Sequence, residues 1–124
     1  MYVKDLGNAP TRELEGLVSH ILLEEGDAPG GEMSITWVDV EPGSQQPPHS
    51  HHPQQVYVII RGSGRMKVGD EERDVSVGDM VFIPQNAEHG ITNTGEETLT
   101  YVSAATPAFP VTEMYDAGQI SLSP

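Results

Sequence analysis

Four of the five histidines lie in two short segments, and this clustering makes metal binding the first chemistry to consider. His49 and His51 are two residues apart, so an extended backbone would project both imidazoles from one face toward the same cation. Gln55 follows four residues later, just before the apolar run VYVII, and its amide oxygen can coordinate a metal ion. His89 opens another strand-like segment and could complete the site. An H-x-H pair alone is weak evidence, because a polar loop can hold histidines that bind no metal.

The other two histidines and the single tryptophan each have more than one interpretation. His52 is expected to point away from His51 toward solvent, and the alternative is that it replaces His51 as a ligand. His20 lies in an apolar strand and is expected to be structural. Trp37 could cap the mouth of a pocket, although a plain core position is the favoured interpretation.

Tyr57 is the favoured candidate for a catalytic role outside the ligand set. It alternates with Gln55, so both side chains are expected to face the same interior. The competing role for Tyr57 is that of a core aromatic whose hydroxyl bonds to backbone. Glu88 and Tyr101 are further candidates for proton transfer, but Glu88 directly precedes His89 and is expected to face outward.

The charge and composition exclude several functions. Nineteen acidic residues against six basic ones give a formal charge of -13, which would repel a nucleic acid or an anionic membrane surface. A solvated acidic surface is the favoured interpretation over a patch for a cationic partner. The absence of cysteine excludes disulfides, Cys-ligated zinc, iron–sulfur clusters and thiol nucleophiles.

The first residues, MYVKDLGNAPTREL, lack the apolar core of a signal peptide, and the longest apolar run is too short to cross a bilayer. We therefore expect a soluble cytoplasmic protein. The length of 124 residues predicts one domain, residues 1–124.

Short β-branched and aromatic segments between glycines and prolines predict an all-β chain without long helices. The predicted strands are Leu17–Glu24, Met33–Val40, Val56–Ile60, Gly64–Val68, Glu72–Val77, Met80–Ile83, His89–Asn93 and Glu97–Ala104.

Alternation places Met33, Ile35 and Trp37 on the predicted core face of their strand. Hairpin turns are predicted at residues 62–64 and 69–71. Residues 105–124 form an apolar C-terminal extension that is expected to pack on the barrel or on a partner subunit.

Two longer patterns extend the histidine segments. Residues 43–62 read Gly-x5-His-x-His-x3-Gln-x6-Gly and resemble the first cupin motif, which usually has glutamate at the position of Gln55. Residues 78–93 read Gly-x5-Pro-x-Asn-x2-His-x3-Asn and resemble the second motif, with Asn86 in place of its central glycine. Asparagine is the residue other than glycine that most readily adopts positive φ, so this departure is minor.

The resemblance to small single-domain cupins implies a double-stranded β-helix, or jelly-roll, barrel that carries a metal inside. It implies His49, His51, Gln55 and His89 as the metal ligands, and it implies a homodimer, since small cupins usually pair their barrels. Nitrogen and oxygen ligands suit one divalent transition metal: Fe, Mn, Ni or Zn. Gln55 leaves the site one positive charge higher than glutamate would, which is expected to weaken metal binding and strengthen the Lewis acidity of the ion.

Three functions follow from this resemblance. The first is a metal-dependent enzyme of dioxygenase, isomerase or cyclase/lyase type that acts on a small organic substrate. The second is a non-catalytic barrel that binds or senses a small molecule or metal. The third, a storage or structural role, would not require four ligands at motif spacing.

Overall fold

The computed structural model describes residues 1–117, which form ten strands and one short helix. These elements are β1 (Thr11–Leu14), β2 (Leu17–Leu23), β3 (Ser34–Val40), β4 (Gln45–His49), β5 (Gln54–Arg61), β6 (Ser63–Val68), β7 (Glu71–Ser76), β8 (Met80–Ile83), β9 (His89–Thr92), β10 (Leu99–Thr106) and α1 (Val111–Asp116). Within this part of the chain, no helix has the length and hydropathy to cross a bilayer.

The strands form two antiparallel sheets that enclose one interior. The larger sheet has the order β1-β2-β3-β10-β5-β8, and the smaller has the order β4-β9-β6-β7. Inward-facing side chains of both sheets make the core; they include Leu17, Val40, Ile59, Met66, Ile83, Ile91 and Leu99. The predicted all-β jelly-roll barrel is confirmed.

All eight predicted strands are present, with ends that shift by at most two residues. Two strands were missed. β1 is short and polar, as many strands at a sheet edge are. β4 has the sequence QQPPH, and its two prolines cannot donate hydrogen bonds to a neighbouring strand. The sequence pattern therefore predicts a loop at this position.

The predicted core face of β3 was wrong. Met33 is 45% exposed, and Ile35 and Trp37 are only partly buried on the outer face of the sheet. The residues that face the interior are Ser34, Thr36, Val38 and Val40. The alternation was correct but its phase was not, because β3 carries apolar residues on both faces and the pattern alone cannot choose between them.

One of the two predicted hairpins was also wrong. Gly69 and Asp70 do join β6 to β7 as a two-residue turn, with Val68 opposite Glu71. At Gly62, however, the chain passes from the larger sheet to the smaller one, so β5 and β6 do not pair. Gly62 has φ of 77°, and a Cβ there would lie 2.6 Å from the Thr98 carbonyl oxygen. Glycine is therefore required by this crossover rather than by a hairpin turn.

The C-terminal extension begins later than predicted, because β10 continues to Thr106. Residues 109–115, which we call the roof segment, then fold back onto the barrel. Val111 is 2% exposed and packs on Ile21, while the Thr112 amide and hydroxyl both donate to the Glu24 carboxylate, at 2.8 and 2.6 Å. The last part of the predicted extension, residues 118–124 with the apolar Ile120 and Leu122, lies outside the described residues.

An exposed apolar patch lies on the outer face of the larger sheet. Val58 on β5 lies opposite Met80 on the edge strand β8, and Val56 lies opposite Phe82. Val58 is 38% exposed, Met80 is 59% exposed and Phe82 is 52% exposed. A contiguous patch of this kind is typical of a surface that another protein covers.

We expect this patch to pair two copies of the chain. Light scattering at micromolar concentration should then report a dimer, and Phe82→Lys should shift the mass toward a monomer because a buried ammonium would lack a partner. Thr94→Lys adds the same charge at an exposed position elsewhere and should leave the dimer intact. A monomeric wild-type protein would contradict the prediction.

Candidate metal centre

The structure brings the three motif histidines together at one end of the barrel interior. His49 ends β4 and lies directly opposite His89, which begins β9, while His51 follows two residues after β4. Each ring offers a nitrogen, and these three nitrogens lie within 4.8 Å of one another. The ring centroids of His49 and His89 are 4.3 Å apart. The three side chains therefore converge on a space of the size of one ion.

Backbone carbonyls determine which nitrogen of each ring faces that space. His49 Nδ1 lies 2.9 Å from the Pro47 oxygen, His51 Nδ1 lies 3.1 Å from the Pro53 oxygen, and His89 Nδ1 lies 2.9 Å from the Ala87 oxygen. A carbonyl can only accept, so in each neutral ring Nδ1 carries the proton and Nε2 keeps its lone pair. This is the arrangement that orients metal-binding histidines in proteins.

Burial keeps these rings neutral. It lowers the pKa of His49 and of His51, and together with the nearby His49 ring it lowers the pKa of His89 to about 3. A metal ligand must be deprotonated, so all three imidazoles are in the form that binds a cation at neutral pH.

Gln55 presents an acceptor to the same interior. It is 6% exposed on β5, and its Nε2 donates to Ser103 Oγ on β10 at 2.6 Å. This hydrogen bond leaves Gln55 Oε1 buried without a donor, and His89 Nε2 is buried without a partner as well. Buried acceptors without donors are costly unless a cation or donor faces them. On this test the residues fit a bound metal ion.

A cavity of about 40 Å³ adjoins these side chains, lined by residues of β3, β4, β5, β10 and the roof segment. Phe109 stacks on His51 with ring centroids 5.5 Å apart and an interplanar angle of 30°. Val111 and Tyr115 also line the cavity, and Tyr115 shares a hydrogen bond of 2.7 Å with Ser19 on β2. The roof segment thus partly covers the barrel end nearest the histidines.

Tyr57 and Tyr101 form a stacked pair in the cavity wall, with ring centroids 4.3 Å apart. Burial raises the pKa of both phenols well above the ordinary value of tyrosine. Both therefore stay protonated at neutral pH, so Tyr57 can donate a proton or hydrogen bond but cannot act as a base. Glu88 is exposed, as predicted, and takes no part in the cavity.

The remaining sequence candidates lie elsewhere. His52 is exposed and contacts Gln85 at 2.9 Å, so the structure does not bring it to the histidine group. His20 lies on the outer face of the larger sheet, where its Nε2 is 3.4 Å from an Asp39 carboxylate oxygen. Trp37 is partly buried beside His20 and does not line the cavity.

The cavity residues that sequence reasoning missed include Gln46, Ser103 and Phe109. Phe109 is far along the chain and nothing in its local pattern distinguishes it from any apolar residue. Gln46 lies at an odd spacing from His49, which in a regular strand would place it on the opposite face. The signal was the Pro47-Pro48 pair, because prolines in a strand often mark an irregular ladder.

Comparisons with known proteins agree with the geometry. The sequence profile of the family described as "Cupin domain" matches residues 36–105. An uncharacterized protein of Methanocaldococcus jannaschii is 28% identical over 96 residues, which cover 77% of each chain. Dimethylsulfoniopropionate lyase of Ruegeria pomeroyi is 31% identical over 80 residues, which cover 64% of this chain and 52% of the lyase. The matched part thus spans about half the length of that lyase.

A solved structure with the same fold is a predicted oxalate decarboxylase of Thermotoga maritima. It superposes with a TM-score of 0.74 at 20% identity, covering 86% of this chain and 99% of the other. At this identity the likeness concerns the fold alone.

The hydrogen bond from Gln55 to Ser103 generates a prediction about metal affinity. Ser103→Ala should free the Gln55 amide to rotate and should weaken metal binding about tenfold, as loss of a supporting hydrogen bond to a ligand often does. Competitive chelation measures this change. Ser76→Ala, at an exposed serine, is the matched control and should leave the affinity unchanged. Equal affinities for Ser103→Ala and wild type would show that the orientation of Gln55 has no role in the site.

Proposed function

The chain belongs to the cupin family, and on that premise we propose that it binds one divalent transition metal and acts as an enzyme on a small organic substrate inside the barrel. The proposed ligands are His49, His51, Gln55 and His89. The observation that carries the proposal is the convergence of three neutral imidazoles whose Nδ1 atoms are all held by backbone carbonyls.

The ligand set limits the metal and its chemistry. Nitrogen and oxygen donors without sulfur favour Fe, Mn, Ni or Zn. Any of these would supply Lewis acidity, and the first three would also supply redox chemistry. The set carries no charge of its own, because imidazole and amide are neutral, so the full charge of the ion faces the cavity.

The side chains around the site limit the types of reaction that it could catalyse. Gln55 cannot take up a proton, so it cannot serve as a base in the way a glutamate ligand could. Tyr57 can donate to a substrate oxygen, because burial keeps its phenol protonated. The described residues that line the cavity include no carboxylate, so a base would enter with the substrate or with solvent. Dioxygenase, isomerase and cyclase/lyase reactions are compatible with such a site, and the similarity to a lyase supports the last of these.

A non-catalytic binding or sensing barrel is the second candidate function. The small cavity and the lack of a charged side chain in its described lining favour it. One experiment separates the two functions. It measures the metal content of the protein together with oxygen uptake and substrate loss for a panel of catechols, flavonols, diketones and thiols. Turnover of a compound only by the metal-loaded protein favours the enzyme.

The first test of the site is its metal content. Purified protein should carry about one transition metal per chain, and His49→Ala or His89→Ala should lose it, because each removes one of three converging donors. His52→Ala is the matched control, since His52 is exposed and outside the group. Elemental analysis that finds full metal in both ligand variants would show that the site lies elsewhere.

The second test concerns Gln55, the proposed ligand at which this chain departs from the first cupin motif. If Gln55 coordinates through its oxygen, Gln55→Glu should tighten metal binding, because a carboxylate lowers the net charge of the site. Competitive chelation of wild type and variant side by side measures the effect. An unchanged affinity would mean that Gln55 is not a ligand.

A further inference from the structure

Gln46 reaches the metal-site cavity through an irregularity in β4. Gln46 lies opposite Ile91, and His49 lies opposite His89, so β4 uses three residues where β9 uses two. The extra residue falls at Pro47-Pro48 and reverses the alternation, as a β-bulge does. Gln46 and His49 therefore face the same interior, although they are three residues apart.

The Gln46 amide is buried there without a partner. The residue is 3% exposed, and its Nε2 has no hydrogen-bond acceptor among the described residues. Gln55 is also a buried amide in this cavity, but its Nε2 is already used by Ser103. An amide group that is buried and unpaired is unfavourable, so natural interiors usually provide such a donor with an acceptor. Gln46 thus offers one unused donor to whatever occupies the cavity.

The charge of the site indicates what that occupant is. The proposed ligands are neutral, and the described lining of the cavity holds no carboxylate, lysine or arginine. A divalent cation would keep its charge uncompensated in a buried space, where electrostatic interactions are stronger than in water. An anion bound beside it would remove most of that cost.

Resting on the proposed function, we propose that Gln46 forms an anion subsite which donates a hydrogen bond to one oxygen of a small oxyanion, of the short carboxylate class, held at the metal centre. Tyr57 is a second donor in the same cavity. The formal charge of -13 opposes the approach of anions, but at physiological ionic strength fields are screened beyond about 8 Å. The local charge at the site therefore decides binding.

The roof segment sets a size limit for this subsite. The cavity of about 40 Å³ leaves little space beyond a metal ion, and Phe109 covers the side nearest His51. Formate and acetate should therefore bind more tightly than butyrate. Phe109→Ala should reduce this difference in affinity, because it removes the ring that covers the cavity beside His51.

The test uses Co(II) as the metal probe and acetate as the anion probe. Protein loaded with one Co(II) per chain is titrated with acetate, and the visible absorption of Co(II) reports both an intact site and anion binding. Gln46→Met keeps the length of the side chain but removes the donor, so acetate should bind about tenfold more weakly or worse. Gln45→Met, at the exposed neighbour on β4, is the matched control and should match wild type. Acetamide, which lacks the charge, should bind wild type more weakly than acetate.

The outcomes separate the two proposals. A wild-type protein that does not bind Co(II), or that keeps it after His49→Ala, overturns the proposed function itself. If Co(II) binds but Gln46→Met and wild type have equal acetate affinity, or acetamide binds as well as acetate, the anion subsite is wrong and the metal site stands. A Gln46→Met spectrum equal to wild type without acetate, together with weakened acetate binding, supports the subsite.

Discussion

The hydrogen bonds from three imidazole Nδ1 atoms to backbone carbonyls are the interaction on which this site depends. Each joins a histidine to a carbonyl two residues away in sequence, so the tautomer is determined by local backbone shape. The rings then need only be brought together by the barrel. That is done by the antiparallel pairing of β4 with β9, which places His49 opposite His89. Because burial also keeps the rings neutral, the donors stay available at neutral pH.

The roof segment connects barrel stability to access. Residues 109–115 bury Val111 against Ile21 and form hydrogen bonds with Ser19 in β2 and with Glu24, which follows β2. The same residues that make this small apolar cluster also cover the histidines, since Phe109 stacks on His51. Packing and access are therefore set by one segment.

Charge is distributed unevenly between the surface and the interior. The chain as a whole is strongly acidic, yet the described lining of the cavity has no ionised group, and Gln55 stands where the related motif usually has glutamate. A cation in that cavity would receive polar contacts but no compensating charge. The two buried amides leave opposite groups without partners, the oxygen of Gln55 and the N–H of Gln46. In the proposals above, the oxygen faces the cation and the N–H faces its counter-ion.

The sequence determined eight of the ten described strands through its apolar and turn patterns. The resemblance of its two motifs to those of cupins added the fold family and the grouping of His49, His51 and His89, because motif glycines and ligands stand at short, local spacings. The sequence also placed Tyr57 inward and Glu88 outward, since regular alternation holds along β5 and at the start of β9. Only the tertiary structure decided which face of β3 lies inward, that the chain crosses between the sheets at Gly62, and that Gln46 points inward. Each depends on what lies across the barrel or on a local break in the ladder, which a period of two residues cannot reveal.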